Sequence, residues 1–237
     1  MVAAVVCAAA GPACAHPPSE RLGSGAATVW VLWPRDRPTS IVVFGHGWST
    51  PLPTDGFAPW IAHLRARGSI VIYPRYRTPA AESVGAALQA FETGLRTGFA
   101  RLRALHLPVV ALGKSFGGSA VFSYAAAAAA WHVPAPRAIL SVFPALPLAP
   151  LPPAGIAPQT FVELFVGDAD TTAGSAGADA FWRWLAGHPA ARKHYVVIRS
   201  RPGFVANHDS AQRSDPLARR IFWGPFDRLV EQARRSG

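Results

Sequence analysis

The fold is decided by residues 109–118, which read Val-Val-Ala-Leu-Gly-Lys-Ser-Phe-Gly-Gly. The first four residues are apolar and rich in valine, as in a buried strand, and the alanine-rich residues 119–131 that follow predict a helix. A serine between two glycines at a strand-to-helix turn is typical of a nucleophile whose hydroxyl stands clear of a sheet. Gly113 and Gly117 flank Ser115 because side chains there would collide with the neighbouring strand and helix. The stretch therefore predicts an α/β sheet that presents Ser115 as a nucleophile.

Strand and helix patterns alternate along most of the chain. Strands are predicted at 27–33, 40–44, 69–73, 107–112, 137–143, 160–166 and 193–199, and helices at 57–67, 82–105, 119–131, 174–186 and 225–235. This alternation predicts one α/β domain over residues 16–237, with a doubly wound, mostly parallel sheet in three layers. Residues 16–26 are expected to be an irregular lead-in. Six prolines within residues 144–158 exclude a helix or a central strand, so no helical cap is expected.

A serine nucleophile needs a base within hydrogen-bond reach and a carboxylate that orients the base. In an open parallel sheet, these partners come from loops at the carboxyl ends of later strands. The loop after the predicted strand at 160–166 carries Asp168 and Asp170. Either of these aspartates is a candidate acid for Ser115.

Three histidines near the last predicted strand are candidates for the base. His188 lies in a predicted helix-to-strand connection, at the opposite edge of the sheet from the nucleophile, and His194 lies within a predicted strand. His208 follows the predicted strand at 193–199 and is the one placed in a loop beyond a carboxyl end. The residues therefore favour His208 as the base.

The order serine, aspartate, histidine along the chain, with the serine at a strand-to-helix turn, is similar to that of the α/β-hydrolase superfamily. The chain especially resembles the dienelactone hydrolase-like and the cutinase or polyester hydrolase-like serine esterases. The resemblance covers about residues 27–235. It implies an acyl-enzyme formed on Ser115 and a reaction that needs no metal and no organic cofactor.

The resemblance also implies which aspartate is the acid. In that superfamily the segment after this strand often reads Gly-x-x-Asp, and Gly167 and Asp170 match it. Asp170 is therefore the expected acid, and Asp168 is expected to hold the loop by bonding local amides.

Two backbone amides are expected to bind the oxyanion that develops on the substrate. One is the amide of Phe116, the residue after the nucleophile. The resemblance to cutinase-like proteins implies Trp48 as the second, in the Gly-His-Gly-Trp turn at 45–48, whose His46 is expected to be structural. Aromatic residues are frequent near these loops, and Trp48, Phe116 and Phe204 are predicted to contact an apolar or aromatic substrate.

The composition suits a compact domain, since half of the residues are hydrophobic and 15% are charged. The formal net charge is +10, and it is carried mostly by arginine because Lys114 and Lys193 are the only lysines. Such a charge is compatible with an anionic partner, such as nucleic acid or a membrane surface. The arginines are spread along the chain, however, so a solvated basic surface without nucleic-acid binding is favoured. A monomer is expected.

The N-terminus resembles a secretory leader. Residues 2–15 are small and apolar, too short to span a membrane, and end in Ala-Cys-Ala, which would permit cleavage before His16. A signal peptide at 1–15 is therefore predicted, although no basic residue precedes the apolar run. Its removal would take away Cys7 and Cys14, the only cysteines. A secreted or periplasmic protein is expected, or a cytoplasmic one if the start is misassigned.

The sequence thus predicts a carboxylic-ester hydrolase that acts on small or polymeric esters in an open cleft. An amidase, thioesterase or peptidase would use the same three residues. A non-catalytic binding protein on the same scaffold is the alternative from another class.

Overall fold

The computed structural model describes residues 19–78, 83–153 and 155–235. The predicted signal peptide at 1–15 lies outside these residues, as do both cysteines. None of the described helices is long and apolar enough to cross a membrane.

The described residues form one eight-stranded sheet and the helices that cover it. The strands are β1 (Ser19–Leu22), β2 (Val29–Leu32), β3 (Ser40–Gly45), β4 (Ser69–Pro74), β5 (Val109–Lys114), β6 (Ala138–Val142), β7 (Phe161–Gly167) and β8 (Lys193–Ile198). The helices are α1 (Ala58–Ala66), α2 (Val84–Leu102), α3 (Phe116–Ala127), α4 (Ala176–Trp184), α5 (Pro216–Ala218) and α6 (Gly224–Arg235), with a π-helical segment at Arg219–Trp223 between the last two. Short 3-10 turns lie at Gly25–Ala27, Ala190–Arg192 and Ser210–Gln212.

The strand order is β1-β2-β4-β3-β5-β6-β7-β8. All neighbours from β4 to β8 pair in parallel, and β1 and β2 pair antiparallel at one edge. The prediction of a mostly parallel sheet is confirmed. Every residue of β3, β4, β5 and β6 is buried, which explains why these strands are apolar runs without alternation.

Helices cover both faces of the sheet, as predicted for a three-layer domain. Side chains of α2, α3 and α4 pack in one core, which contains Phe91, Phe122 and Phe181. Side chains of α1 and α6 pack in the second core, which contains Trp60 and Phe226. The order of the strands puts β5, which leads into Ser115, near the middle of the sheet between β3 and β6.

The expectation of an irregular lead-in at 16–26 is wrong where the structure describes it. Ser19–Leu22 pairs with β2 as an edge strand. The Glu20 carboxylate fixes it, because it accepts hydrogen bonds from Trp33 Nε1 (2.7 Å) and from Arg101 Nε (2.7 Å). A strand of four residues that is fixed through the side chain of Glu20 has too weak a sequence pattern to be predicted.

Over residues 19–78, 83–153 and 155–235, no helical cap covers the sheet, in agreement with the prediction. Residues 143–160, here called the proline link, join β6 to β7 and form neither helix nor strand in their described part. The link is held near its start by Ser119, whose hydroxyl donates to the Ala145 carbonyl oxygen (2.7 Å). Farther along, Trp184 Nε1 donates to the Pro152 carbonyl oxygen (2.8 Å).

Candidate active site

Ser115 lies in the sharp turn between β5 and α3. Its backbone angles are φ 58° and ψ −122°, a conformation that non-glycine residues rarely adopt. Its N–H donates to the Val142 carbonyl oxygen (3.0 Å), which ties the turn to β6. Strain of this kind is found at functional sites, where the surrounding structure holds it in place. The turn leaves Ser115 partly exposed between two fully buried neighbours.

Glycines allow the turn to approach the neighbouring strand closely. A Cβ at Gly117 would collide with the backbone carbonyl group of Gly45 at the end of β3. A Cβ at Gly113 would in turn collide with the Gly117 carbonyl oxygen. The sequence explanation for the two glycines that flank Ser115 therefore agrees with the packing.

The structure brings Ser115, His208 and Asp170 into one hydrogen-bonded chain. His208 Nε2 lies 3.0 Å from Ser115 Oγ, and His208 Nδ1 lies 2.9 Å from Asp170 Oδ2. The Asp170 side chain is fully buried, and the His208 side chain is 12% exposed. The chain therefore runs from a buried carboxylate to a serine hydroxyl that solvent can reach.

Asp170 and Asp168 have separate partners. Asp170 Oδ1 accepts hydrogen bonds from the amides of Thr172 (2.9 Å) and Ala173 (3.0 Å), so its second oxygen is left to His208. Asp168 instead accepts from the amide (2.9 Å) and the hydroxyl (2.6 Å) of Ser200, which lowers its pKa. Asp168 thus fixes the loop that leads to His208, and it makes no described contact with the imidazole.

The two predicted oxyanion residues lie side by side. The rings of Trp48 and Phe116 pack at 4.9 Å between centroids, and Trp48 is only partly buried. Within the described part of the chain, neither backbone amide donates to a protein acceptor. A free N–H group next to a serine nucleophile, as at Phe116, can donate to an oxyanion. The ring contact brings Trp48 to the same side of the site.

His46 and Tyr76 hold the turn at 45–48 against the nucleophile turn. The His46 carbonyl oxygen accepts hydrogen bonds from the Gly117 amide (3.0 Å) and from the Tyr76 hydroxyl. The His46 ring stacks on Tyr76 with 3.9 Å between centroids, and its nitrogens lie beside the carbonyl oxygens of Gly47 (2.6 Å) and Arg75 (2.7 Å). Complete burial lowers the pKa of His46 to about 4, so the ring is neutral and structural.

Tyr76 was missed by sequence reasoning. It is fully buried, has a φ of 33°, and stacks on Phe116 at 5.4 Å between centroids. No motif marks this residue, because its role comes from packing between the two loops. The strained backbone at a buried tyrosine is visible only in three dimensions.

The expectation that Phe204 contacts the substrate is wrong. Phe204 is 1% exposed and packs in the core beside Phe222, at 6.2 Å between ring centroids. It therefore offers no surface to a ligand. Its position in the loop before His208 was the only signal for that role, and loop position alone does not give the direction of a side chain.

Among the described residues, no group of three or more His, Cys, Asp or Glu side chains is arranged to hold a metal ion.

A scan against known protein families found no match, and no curated protein is similar in sequence. Solved structures are similar in fold at low identity. An α/β-hydrolase enzyme from a Medee basin deep-sea metagenome library has a TM-score of 0.69 at 15% identity, over 92% of this chain and 98% of that one. Esterase B from Lactobacillus rhamnosis has a TM-score of 0.66 at 13% identity, over 92% and 88% of the two chains. A dienelactone hydrolase-like protein from Klebsiella pneumoniae has a TM-score of 0.63 at 17% identity, over 86% and 92%. The chain therefore has the α/β-hydrolase fold.

Proposed function

We propose that the protein is a serine carboxylic-ester hydrolase that forms an acyl-enzyme on Ser115. The observation that carries the proposal is the hydrogen-bonded chain in which His208 lies 3.0 Å from Ser115 Oγ and 2.9 Å from Asp170. A base within hydrogen-bond reach of a serine, itself oriented by a buried carboxylate, is the arrangement that activates a serine hydroxyl. The structural likeness to esterases supports the same reaction class.

In the first half of the proposed reaction, Ser115 Oγ attacks the ester carbonyl carbon while His208 Nε2 takes the hydroxyl proton. The amides of Phe116 and Trp48 donate to the oxyanion, and Asp170 stabilises the imidazolium. The bond to the leaving alcohol breaks, and the alcohol takes the proton from His208. In the second half, His208 deprotonates a water that attacks the carbonyl carbon of the acyl-enzyme. The bond between that carbon and Ser115 Oγ breaks, His208 returns the proton to Ser115 Oγ, and the acid product is released.

The substrate is proposed to carry an apolar or aromatic group near the scissile bond. The Trp48 ring is partly exposed and packs on the ring of Phe116, the residue after Ser115, and an aromatic wall favours apolar guests. Phe116 is itself buried, at 5% exposed, so Trp48 is the aromatic residue proposed to contact the substrate. The described part of the segment between β6 and β7 contains no helix, which favours an open cleft that bulky or polymeric esters can enter.

The proposal is tested with Ser115→Ala. The variant should lose ester hydrolysis by on the order of a thousandfold or more, because the nucleophile is gone while the fold remains. A fluorophosphonate probe should label the wild-type protein and leave Ser115→Ala unlabelled. Ser175→Ala, which changes an exposed serine before α4, is the matched control and should be labelled and active like the wild type. Substantial hydrolysis by Ser115→Ala would rule the proposal out, and so would a wild type that the probe ignores.

A further inference from the structure

A lysine precedes the candidate nucleophile and is buried. Lys114 ends β5, on the same face of the strand as Val110 and Leu112, which pack in the core under α1 and α6. Its side chain is 6% exposed. An apolar residue would fill this position without the cost of removing an ammonium group from water.

The ammonium of Lys114 connects three segments of the site. Its Nζ lies 3.5 Å from Asp209 Oδ1, next to His208 in the chain. The lysine side chain also runs beneath the turn at 45–48, since a Cβ at Gly47 would lie 3.4 Å from Lys114 Cδ and 3.6 Å from Nζ. Lys114 therefore contacts the loop of the base and the turn of the second oxyanion amide, and it belongs to the nucleophile strand.

Gln212 extends this connection. Its Nε2 donates to the same Asp209 oxygen (3.0 Å), and its side chain packs tightly against Gly56 in the segment between β3 and α1. The segment after β3 and the segment after β8 are thus joined through one carboxylate. The Asp209 side chain is 78% exposed, whereas the Lys114 side chain is 6% exposed. Lys114 is therefore the buried residue in the contact that joins the two segments.

Burial and charge act on Lys114 in opposite directions. Burial lowers the pKa of its ammonium, and the carboxylates of Asp209 and Asp170 act to raise it. A buried cation is stable only when paired, so removing its partner leaves an uncompensated charge in the site.

We propose that Lys114 is a positioning residue of this site: it holds the His208 loop, through Asp209, and the turn at Gly47 in register with Ser115. The inference rests on the proposed function, because the register matters for the reaction on Ser115. Displacements of a catalytic group by about 1 Å are enough to reduce turnover by a large factor. Lys114 acts through its neighbours and does not itself touch the reacting atoms.

The charges around His208 predict how the pH dependence of activity should change in two variants. Among the described residues, the ionised groups that contact His208 or its neighbour Asp209 are Asp170, which binds the imidazole directly, and Lys114, which pairs with Asp209. Lys114→Met leaves the carboxylate of Asp209, the residue after His208 in the chain, without its cation, which favours the imidazolium form. Asp209→Asn leaves the ammonium without its carboxylate, which disfavours the imidazolium form.

The experiment measures kcat and KM for a p-nitrophenyl ester from pH 5 to 9. Lys114→Met should lower kcat about tenfold with KM nearly unchanged. The pH at which its kcat reaches half of the maximum should be about half a pH unit higher than in the wild type. In Asp209→Asn, this half-maximal pH should be lower than in the wild type. In the double variant, it should move back towards the wild-type value. Lys193→Met changes the only other lysine, whose ammonium donates to the Leu185 carbonyl oxygen on the far side of the sheet, and it should leave the profile unchanged.

Asp209→Asn keeps the test decisive if Lys114→Met does not fold, because it alters an exposed side chain and leaves the lysine in place. Single variants with the kcat and pH profile of the wild type would overturn the role of Lys114 alone, and so would shifts in the same direction. A wild type without Ser115-dependent hydrolysis would overturn the proposed function and this inference together.

Discussion

At the scale of single residues, His46 makes the stability of the fold depend on pH. Burial lowers its pKa from 6.5 to about 4. Between these two values the unfolded chain binds a proton that the folded chain does not, so stability falls as the pH falls. The whole shift corresponds to about 3 kcal/mol in the free energy of unfolding.

Urea unfolding at pH 7 and pH 4.5 measures this dependence. We expect the wild type to lose about 2 to 3 kcal/mol more between the two values than His46→Gln, which has no group to titrate there. His194→Gln is the control, because this histidine is 64% exposed on β8 and should leave the wild-type loss unchanged. Equal losses in the wild type and His46→Gln would show that His46 is not the group responsible.

The residues of the site differ in how far the sequence predicts them. Ser115 is marked by a motif, and His208 by its loop after a strand. The choice of Asp170 over Asp168 needed the resemblance to a known superfamily, because both follow the same strand and only packing separates their partners. Lys114 and Tyr76 carry no pattern of their own, since their contacts join segments that are distant in the chain.

At the scale of elements, the contact between the end of β3 and the start of α3 fixes the distance between the turn at 45–48 and the nucleophile turn. Gly117→Ala would force the Gly45 carbonyl group away, and with it the amide of Trp48. We expect a loss of about 3 kcal/mol in the free energy of unfolding, at the upper end for overpacking, since backbone and not a flexible side chain must move.

Gly85→Ala is the matched control for Gly117→Ala. Gly85 lies in the first turn of α2, and a Cβ there would meet no atom within 4 Å. This variant should be as stable as the wild type or more stable by about 0.5 kcal/mol, because alanine favours a helix. Thermal unfolding of both variants decides the matter, and a Gly117→Ala protein as stable as Gly85→Ala would contradict the close approach.

Elements inside the fold could be predicted within a few residues, and elements at its edges could not. The buried strands β3 to β6 are continuous apolar runs with clear ends. β1 is short and depends on Glu20, and the helical turns before α6 begin at Pro216, nine residues earlier than the predicted start at 225. Tertiary contacts decide such peripheral segments, so their local patterns are weak.

At the scale of the whole molecule, the uncapped sheet predicts a broad range of esters. We expect hydrolysis to persist from acetyl to palmitoyl p-nitrophenyl esters and to extend to an aliphatic polyester, because the described part of the chain has no inserted helices that close over Ser115. Release of p-nitrophenol and of soluble acid from a polyester film measures the two activities, with Ser115→Ala as the blank for each ester. Activity confined to short acyl chains would contradict the open cleft.

The whole chain also carries expectations that its fold does not address. Secretion, the monomeric state and the lack of nucleic-acid binding stay predictions, because they rest on the leader predicted at 1–15 and on the spread of arginines along the sequence.

The hydrogen bonds that hold the proline link leave an exposed point between them where a further domain can be inserted. The Ala145 amide donates to the Ser115 carbonyl oxygen (3.1 Å), Pro152 is held by Trp184, and Leu146 between them is 62% exposed. A domain inserted after Leu146 would lie between Ala145 and Pro152, which hydrogen bonds hold in place. The entropy of closing such an insertion grows by only about 0.6 kcal/mol for each doubling of its length. An insertion after Leu146 can therefore change the substrate selectivity of the protein while the sheet keeps its structure.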